Sequence, residues 1–304
     1  MSQLSECTHL IIDTALAGVG QAWQRHSQHA ADAARIYHET RFAHLESISP
    51  IVTRCSPNDP FLHWLEADCP HPNWGIGLSS RAMPATLARH FRRWLTITDM
   101  TGDEVLFRFY DPGVLPDFLA AFEPQEYARW FGPTDSVRGI DAEGKTWERH
   151  RRVDGVITPA GKFPPDFRWR MTEAHYQRLT PLWRRELIAE THTRLLTDAW
   201  AWLQHLDHHR IRARVAELID RWRALTGALP SPEVARHFCL LAMTSCSHLE
   251  QREDFRRDLQ KLGAEVALQR WLPHAYGELD GDCHDPAWLP ERITLSASPT
   301  TEPL

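Results

Sequence analysis

The sequence predicts an α/β first half, a mixed sheet with flanking helices, followed by an all-α helical second half. Three observations carry this. Up to about residue 150, short apolar runs rich in β-branched residues alternate with stretches of helical spacing. Pro159, Gly161, Pro164 and Pro165 then interrupt both patterns. Beyond them, apolar residues recur three and four apart. The predicted organisation is an α/β domain over 1–152, a linker over 153–171, a helical domain over 172–285, and a tail over 286–304 whose Pro, Ser and Thr content predicts partial disorder.

Thr8 to Asp13 (THLIID) reads as a buried strand. A helix should follow, with Leu16, Val19 and Trp23 on its face and an extension through Ala30, Ala34 and Tyr37. Ile48 to Arg54 reads as a second strand, stopped by the turn signal Ser56-Pro57-Asn58-Asp59-Pro60. Phe61, Leu62 and Leu65 suggest a short helix. Trp74 to Ser79 is a third strand, with glycines where another backbone can come close. Pro84 suits a first helical position, and Leu87, Phe91, Trp94 and Leu95 continue the helix.

Leu95 to Asp99 and Glu104 to Tyr110 form a hairpin around Thr101-Gly102. Its return strand should turn Val105, Phe107 and Phe109 one way, and Leu106, Arg108 and Tyr110 the other. Asp111-Pro112 is expected to cap and open a helix carrying Leu115, Phe118, Leu119 and Phe122. Glu123-Pro124 restarts a second helix that ends at Phe131-Gly132-Pro133. Val137 to Ile140 and Lys145 to His150 read as a further hairpin around Glu143-Gly144.

In the second half, one helix is expected from Thr172 to Leu206, with Leu195, Ala199, Trp202 and Leu206 on one face. Another carries Ile211, Val215, Leu218, Trp222 and Leu225, and ends at Gly227. Ser231-Pro232-Glu233 is a helix start. A fourth helix is expected from Arg252 to Leu272.

The net charge of -6 gives no global attraction to nucleic acid, which needs Lys and Arg against phosphates. Phe238 to Thr244 is typical of the longest apolar runs, far short of the roughly 20 residues a bilayer demands. Met1 to Glu6 has no basic segment leading into an apolar run, so a secretory signal is not expected. The cysteines Cys7, Cys55, Cys69, Cys239, Cys246 and Cys283 form no CxxC pair, which suits reduced thiols in a cytoplasm. The predicted location is cytoplasmic, without nucleic-acid or membrane partners.

Chemistry is sparse. His205, His208 and His209 offer helical spacings, and Cys69-Pro70-His71, Cys246-Ser247-His248 and Cys283-His284-Asp285 are zinc lookalikes. None matches a zinc spacing, and HExxH is absent. Gly77-Leu78-Ser79-Ser80 lacks the closing glycine of a nucleophile elbow. Gly18-Val19-Gly20 has Trp23 where a dinucleotide loop needs its third glycine, and there is no Walker A sequence. Asp111 stands where α/β enzymes place carboxylates, but capping alone explains it. Arg108 can pair with Glu104 or Asp111, or point at a partner. No catalytic residue, metal ligand or cofactor is expected.

Tryptophan is the anomaly: 13 residues, against 5 tyrosines. Trp combines a large apolar face with a polar handle and is enriched at binding hot spots. Trp94, Trp202 and Trp222 fall on helical stripes and read as core. Trp74, Trp130, Trp147 and Trp169 lie at element ends or in the linker, within reach of a partner. The partner-binding candidates are these four together with Arg108, Tyr110, Asp111 and Phe131.

The landmarks LIIDTAL (Leu10 to Leu16), WGIGLSS (Trp74 to Ser80), LARHFRRWLTI (Leu87 to Ile97), LFRFYDPGVL (Leu106 to Leu115) and WFGP (Trp130 to Pro133) occur in one chain. Together they resemble the domain of unknown function four-one-two-three of type VI secretion effector adaptors, over about residues 8 to 150. LPSPEVARHFCLLAM (Leu229 to Met243) extends the likeness into the helical half. Gly113 departs from it, since the family commonly has a basic residue after the Asp-Pro. The resemblance implies a non-enzymatic chaperone that binds an effector toxin, often by its N-terminal region, and brings it to the VgrG spike protein. The alternatives are a hydrolase-like α/β enzyme using Asp111, Arg108 and a nearby histidine, and an immunity protein for a toxin.

Overall fold

The computed structural model describes residues 6–27, 30–141, 144–152, 163, 167–204 and 206–275, with backbone alone at 30, 201 and 202. The chain divides into two compact units, Met1–Thr180 and Pro181–Leu304. Most of the expected linker, together with His205, Cys283 and the tail over 286–304, lies outside the described residues.

In the first unit, β1 (His9–Ile12) is followed by α1 (Val19–His26), β2 (Ala34–Arg35), β3 (Ile51–Arg54), α2 (Pro60–Ala67) and β4 (Gly75–Ser80). Then come α3 (Pro84–Phe91), β5 (Thr96–Thr98), β6 (Glu104–Leu106), α4 (Leu115–Ala121), α5 (Pro124–Phe131), β7 (Thr134–Ile140), β8 (Thr146–His150) and β9 (Trp169–Arg170). A six-stranded sheet has the order β2-β3-β1-β4-β7-β8, and every pairing in it is antiparallel. The mixed pairing sits in a three-stranded sheet, β6-β5-β9, where β9 runs parallel to β5.

The central strand β1 is buried along its whole length, which is why it reads as an unbroken apolar run and not as an alternation. Its neighbour β4 opens on Gly75, at φ 150°, where a Cβ would stand 2.0 Å from the Ile11 carbonyl oxygen. Only glycine admits the two backbones at that approach. Asp59 caps α2 by accepting the Phe61 N–H at 2.9 Å. In α5, Glu123 and Glu126 form a reciprocal capping box with Pro124 in the first turn.

Four expectations are corrected here. The helix after β1 stops at His26, and Ala34 belongs to a strand. The return strand of the hairpin ends at Leu106, not Tyr110. Phe107 still donates its N–H to Leu95, and buried Phe107 and Phe109 flank exposed Arg108 as expected, but Tyr110 is buried too, where the chain turns inward. The Asp111 carboxylate accepts the Gly113 N–H in a tight turn, and α4 begins only at Leu115. The helix at Pro84 is α-helical only to Phe91 and closes as a 3-10 turn, Arg92–Trp94.

The helix α6 (Glu173–Asp198) starts in the first unit and continues into the second, which then holds α7 (Trp200–Leu203), α8 (His208–Thr226), α9 (Pro232–Thr244), α10 (Glu253–Leu262) and α11 (Ala264–Trp271). Two expected long helices are thus divided. Ala199 separates α6 from α7 with non-helical backbone. Gly263, at φ 79° and ψ 167°, separates α10 from α11, because that backbone conformation, open essentially to glycine alone, ends the hydrogen-bond ladder. The core of this unit gathers Ile211, Val215, Leu218 and Trp222 of α8 with Phe238 of α9, Phe255 of α10 and Trp271 of α11. Asp207 caps α8 and Ser231 caps α9, as side-chain acceptors for first-turn N–H groups.

Candidate functional site

The residues that could carry chemistry in the first unit meet where β1 ends. Asp13 follows the last β1 residue, and its N–H donates to the Trp74 carbonyl at 2.8 Å. That bond holds the Asp13 backbone against the chain entering β4. Its side chain is only 2% exposed; one oxygen accepts the Ala15 N–H at 3.0 Å and the other accepts from Arg108. Arg108 is 44% exposed and sits 95 positions away in sequence, on the inward turn after β6. Asp111 lies 3.9 Å from the same guanidinium and accepts the Gly113 N–H at 2.9 Å.

The electrostatics follow from this geometry. Burial opposes the Arg108 charge, but Asp13 and Asp111 outweigh it and hold its pKa above the ordinary guanidinium value. Burial pushes the Asp111 carboxyl up; the Gly113 N–H and Arg108 pull it back only in part, and Asp13 adds to the rise. Tyr110 is pushed up mainly by burial, and its hydroxyl stands 3.5 Å from that of Tyr37. The Arg108 guanidinium lies 5.8 Å from the Tyr110 ring centroid. Among the described residues, no histidine hydrogen-bonds or ion-pairs with Asp13, Arg108 or Asp111. The arrangement therefore anchors a turn to a strand end, with one face of the arginine left to solvent.

Of the partner-binding candidates, the structure brings Arg108, Tyr110, Asp111 and Trp147 together. Trp147 on β8 donates its indole N–H to the Pro112 carbonyl at 2.9 Å and lies over Gly139. Trp74, Trp130, Phe131 and Trp169 are buried, at 2%, 0%, 0% and 2% exposure. Each has its apolar face committed to the first unit's interior. Trp169 donates to Glu126 at 2.8 Å, and the other Glu126 oxygen bonds His175 at 2.9 Å. Glu126 thus ties α5 to β9 and to the start of α6. Trp94, read as core, is fully buried against Phe122 and Phe167.

Sequence reasoning missed Asp13. An acidic residue closing an apolar strand was the available signal, but its partner is remote in the chain. It also missed that Phe163 and Phe167 of the proline-bearing stretch pack on Trp94, with Arg93 and Arg129 over the Phe163 ring.

The open grooves of the second unit include the following two. One, of about 530 Å³, is lined by Trp222, Leu229 and Val234, with exposed Leu262 and Val266 at its rim. The other, of about 470 Å³, runs between α6 and α8 and is bordered by arginines. Among the described residues, no three His, Cys, Asp or Glu side chains are gathered to hold a metal ion. No helix among them is long and apolar enough to cross a membrane.

Residues 8–129 match the model of a family described as Domain of unknown function (DUF4123). The match runs from the start of β1 into α5 and contains Asp13, Arg108 and Asp111; it stops short of Trp130, Trp147 and Trp169. No curated protein and no solved structure matches the chain.

Proposed function

We propose that this chain is a non-enzymatic bacterial adaptor, which binds a type VI secretion effector through the toxin's N-terminal region and loads it onto the VgrG spike protein in the cytoplasm. The observation that carries the reading is the match of residues 8–129 to DUF4123, the domain whose adaptor members the landmarks of this sequence resemble.

The geometry at the end of β1 supports binding without chemistry. A hydrolase needs a nucleophile and a base within hydrogen-bond reach of each other. Asp13 and Asp111 instead spend their lone pairs on backbone N–H groups and on Arg108. What remains for a partner is the exposed side of Arg108, a fixed cation on a rigid turn.

The test is removal of this chain from a strain that secretes through its type VI apparatus. One effector is expected to vanish from the culture medium while the spike protein is still released, and full-length chain is expected to co-purify with both. Unchanged secretion together with loss of protection against a toxin would overturn the adaptor in favour of an immunity protein.

A further inference from the structure

The strand β6 closes one edge of the three-stranded sheet β6-β5-β9, and no strand of the described residues lies beyond it. In its register with β5, Leu106 stands opposite Thr96, Val105 opposite Ile97 and Glu104 opposite Thr98. The bonds on either side fix which way each peptide group faces. Phe107 donates its N–H to Leu95 at 2.8 Å, and Asp99 donates to Asp103 at 2.9 Å. Antiparallel bonds alternate, so Val105 exchanges its pair with Ile97 inside the sheet. The N–H and C=O of Glu104 and Leu106 therefore point outward, and no loop among the described residues takes them up.

The side chains on this edge are open as well. Every β6 residue is exposed, Val105 at 38% and Leu106 at 45%, and so is Met100 on the preceding turn, at 47%. The other edge strands, β2, β8 and β9, each hold side chains that are buried or half-buried. Unpaired peptide groups beside exposed apolar side chains are a template for an added strand. Charge is uneven along the edge. Glu104 is paired with Arg41 and lies 3.8 Å from Arg168. At the turn, the Asp99 and Asp103 carboxylates stand 2.7 and 2.8 Å from the Thr101 hydroxyl, and neither pairs with a cation among the described residues.

We infer that the open edge of β6 takes up an extended segment of another protein as an added strand, apolar beside Val105 and Leu106 and basic where it passes Asp103 and Asp99. Main-chain bonds to Glu104 and Leu106 hold such a segment, and the side chains select it. A second copy of this chain does not fit the charges. Paired antiparallel about Val105, it would set its Asp103 opposite Phe107, next to Arg108, whose charge Asp13 and Asp111 already outnumber. Paired parallel, it would set one acidic turn beside the other. The inference rests on the adaptor reading for its partners, and adds the surface that holds one of them and the form in which it is held.

The experiment uses the full chain, with the purified effector and the purified spike protein in separate arms. Residue-resolved hydrogen exchange should find the Glu104 and Leu106 amides fast in the free chain and protected by one of the two partners. Leu106→Pro removes an outward N–H that the hairpin does not use, and should weaken that partner at least about fivefold, the worth of one hydrogen bond. Leu106→Lys keeps every peptide group but replaces apolar contact with a charge that repels a basic segment, and should weaken it as much. Leu106→Val should bind as the wild type does. Asp103→Asn should weaken binding and flatten its salt dependence. An unchanged melting temperature in each variant separates lost binding from lost fold. Wild-type affinity for both partners in Leu106→Pro and Leu106→Lys, with the two amides still open, would overturn the inference and leave the adaptor reading intact. Protection of those amides in the chain alone as its concentration rises would replace the partner segment with a second copy. A wild-type chain that binds neither effector nor spike would sink both readings.

Discussion

At the residue scale, two kinds of buried polar group carry consequences. The Asp13 carboxylate is nearly inaccessible and its charge is balanced chiefly by Arg108. Arg108→Met leaves that carboxylate with only the Ala15 N–H. Loss of one partner of a fully buried pair costs about 3–5 kcal/mol, but Arg108 is half exposed and solvent screens it, so about 2 kcal/mol is expected. A lower urea midpoint at unchanged m value checks this, and adding Asp13→Asn should recover part of the loss. The second kind is buried histidine. Burial is the main cause that takes His90 and His9 from 6.5 down to about 4, against the bond between His90 and the Trp130 carbonyl. Because the folded pKa lies below the unfolded one, their contribution is complete above pH 6.5 and is lost as the pH falls towards 4. Chemical denaturation should show stability falling through that window. His90→Gln, which keeps a donor for the Trp130 carbonyl, should make the fall shallower.

At the element scale, glycines with positive φ differ in what surrounds them. Gly263 joins α10 to α11 with nothing within 4 Å of the point where an added Cβ would stand, so Gly263→Ala meets only backbone strain, about 1–3 kcal/mol. At Gly75 the same point lies 2.0 Å from the Ile11 carbonyl oxygen, in the middle of the six-stranded sheet. Gly75→Ala has to part β1 from β4, and a cost above about 4 kcal/mol is expected. Thermal unfolding of the two variants side by side should give a shift of a few degrees for the first and little folded protein for the second. The same reasoning explains Glu126, which joins α5, β9 and α6 with one side chain by bonding both Trp169 and His175. Ahead of β9, Phe163 and Phe167 likewise pack on Trp94.

At the scale of the whole molecule, the family match falls within one of the two compact units: residues 8–129 lie in Met1–Thr180, and Pro181–Leu304 lies wholly outside the match. The adaptor proposed from that match is tested on the full chain, whose loss should remove one effector from the culture medium while the spike is still released.

Much of the fold was legible because local patterns act locally. The apolar run at Leu10 to Ile12, the Glu123-Pro124 restart, the stripe Ile211 to Trp222 and the Ser231 cap each depend on neighbours within a few residues. The α/β and all-α halves followed from those periods alone. Strand order, the salt link of Asp13 to Arg108 and the burial of Trp74, Trp130, Phe131 and Trp169 depend on contacts between remote parts of the chain. Alternation holds for Phe107, Arg108 and Phe109 and fails at Tyr110, which is buried beside Phe109 where the chain turns inward. Periodicity encodes which residues avoid water, while packing decides which residues they avoid it with.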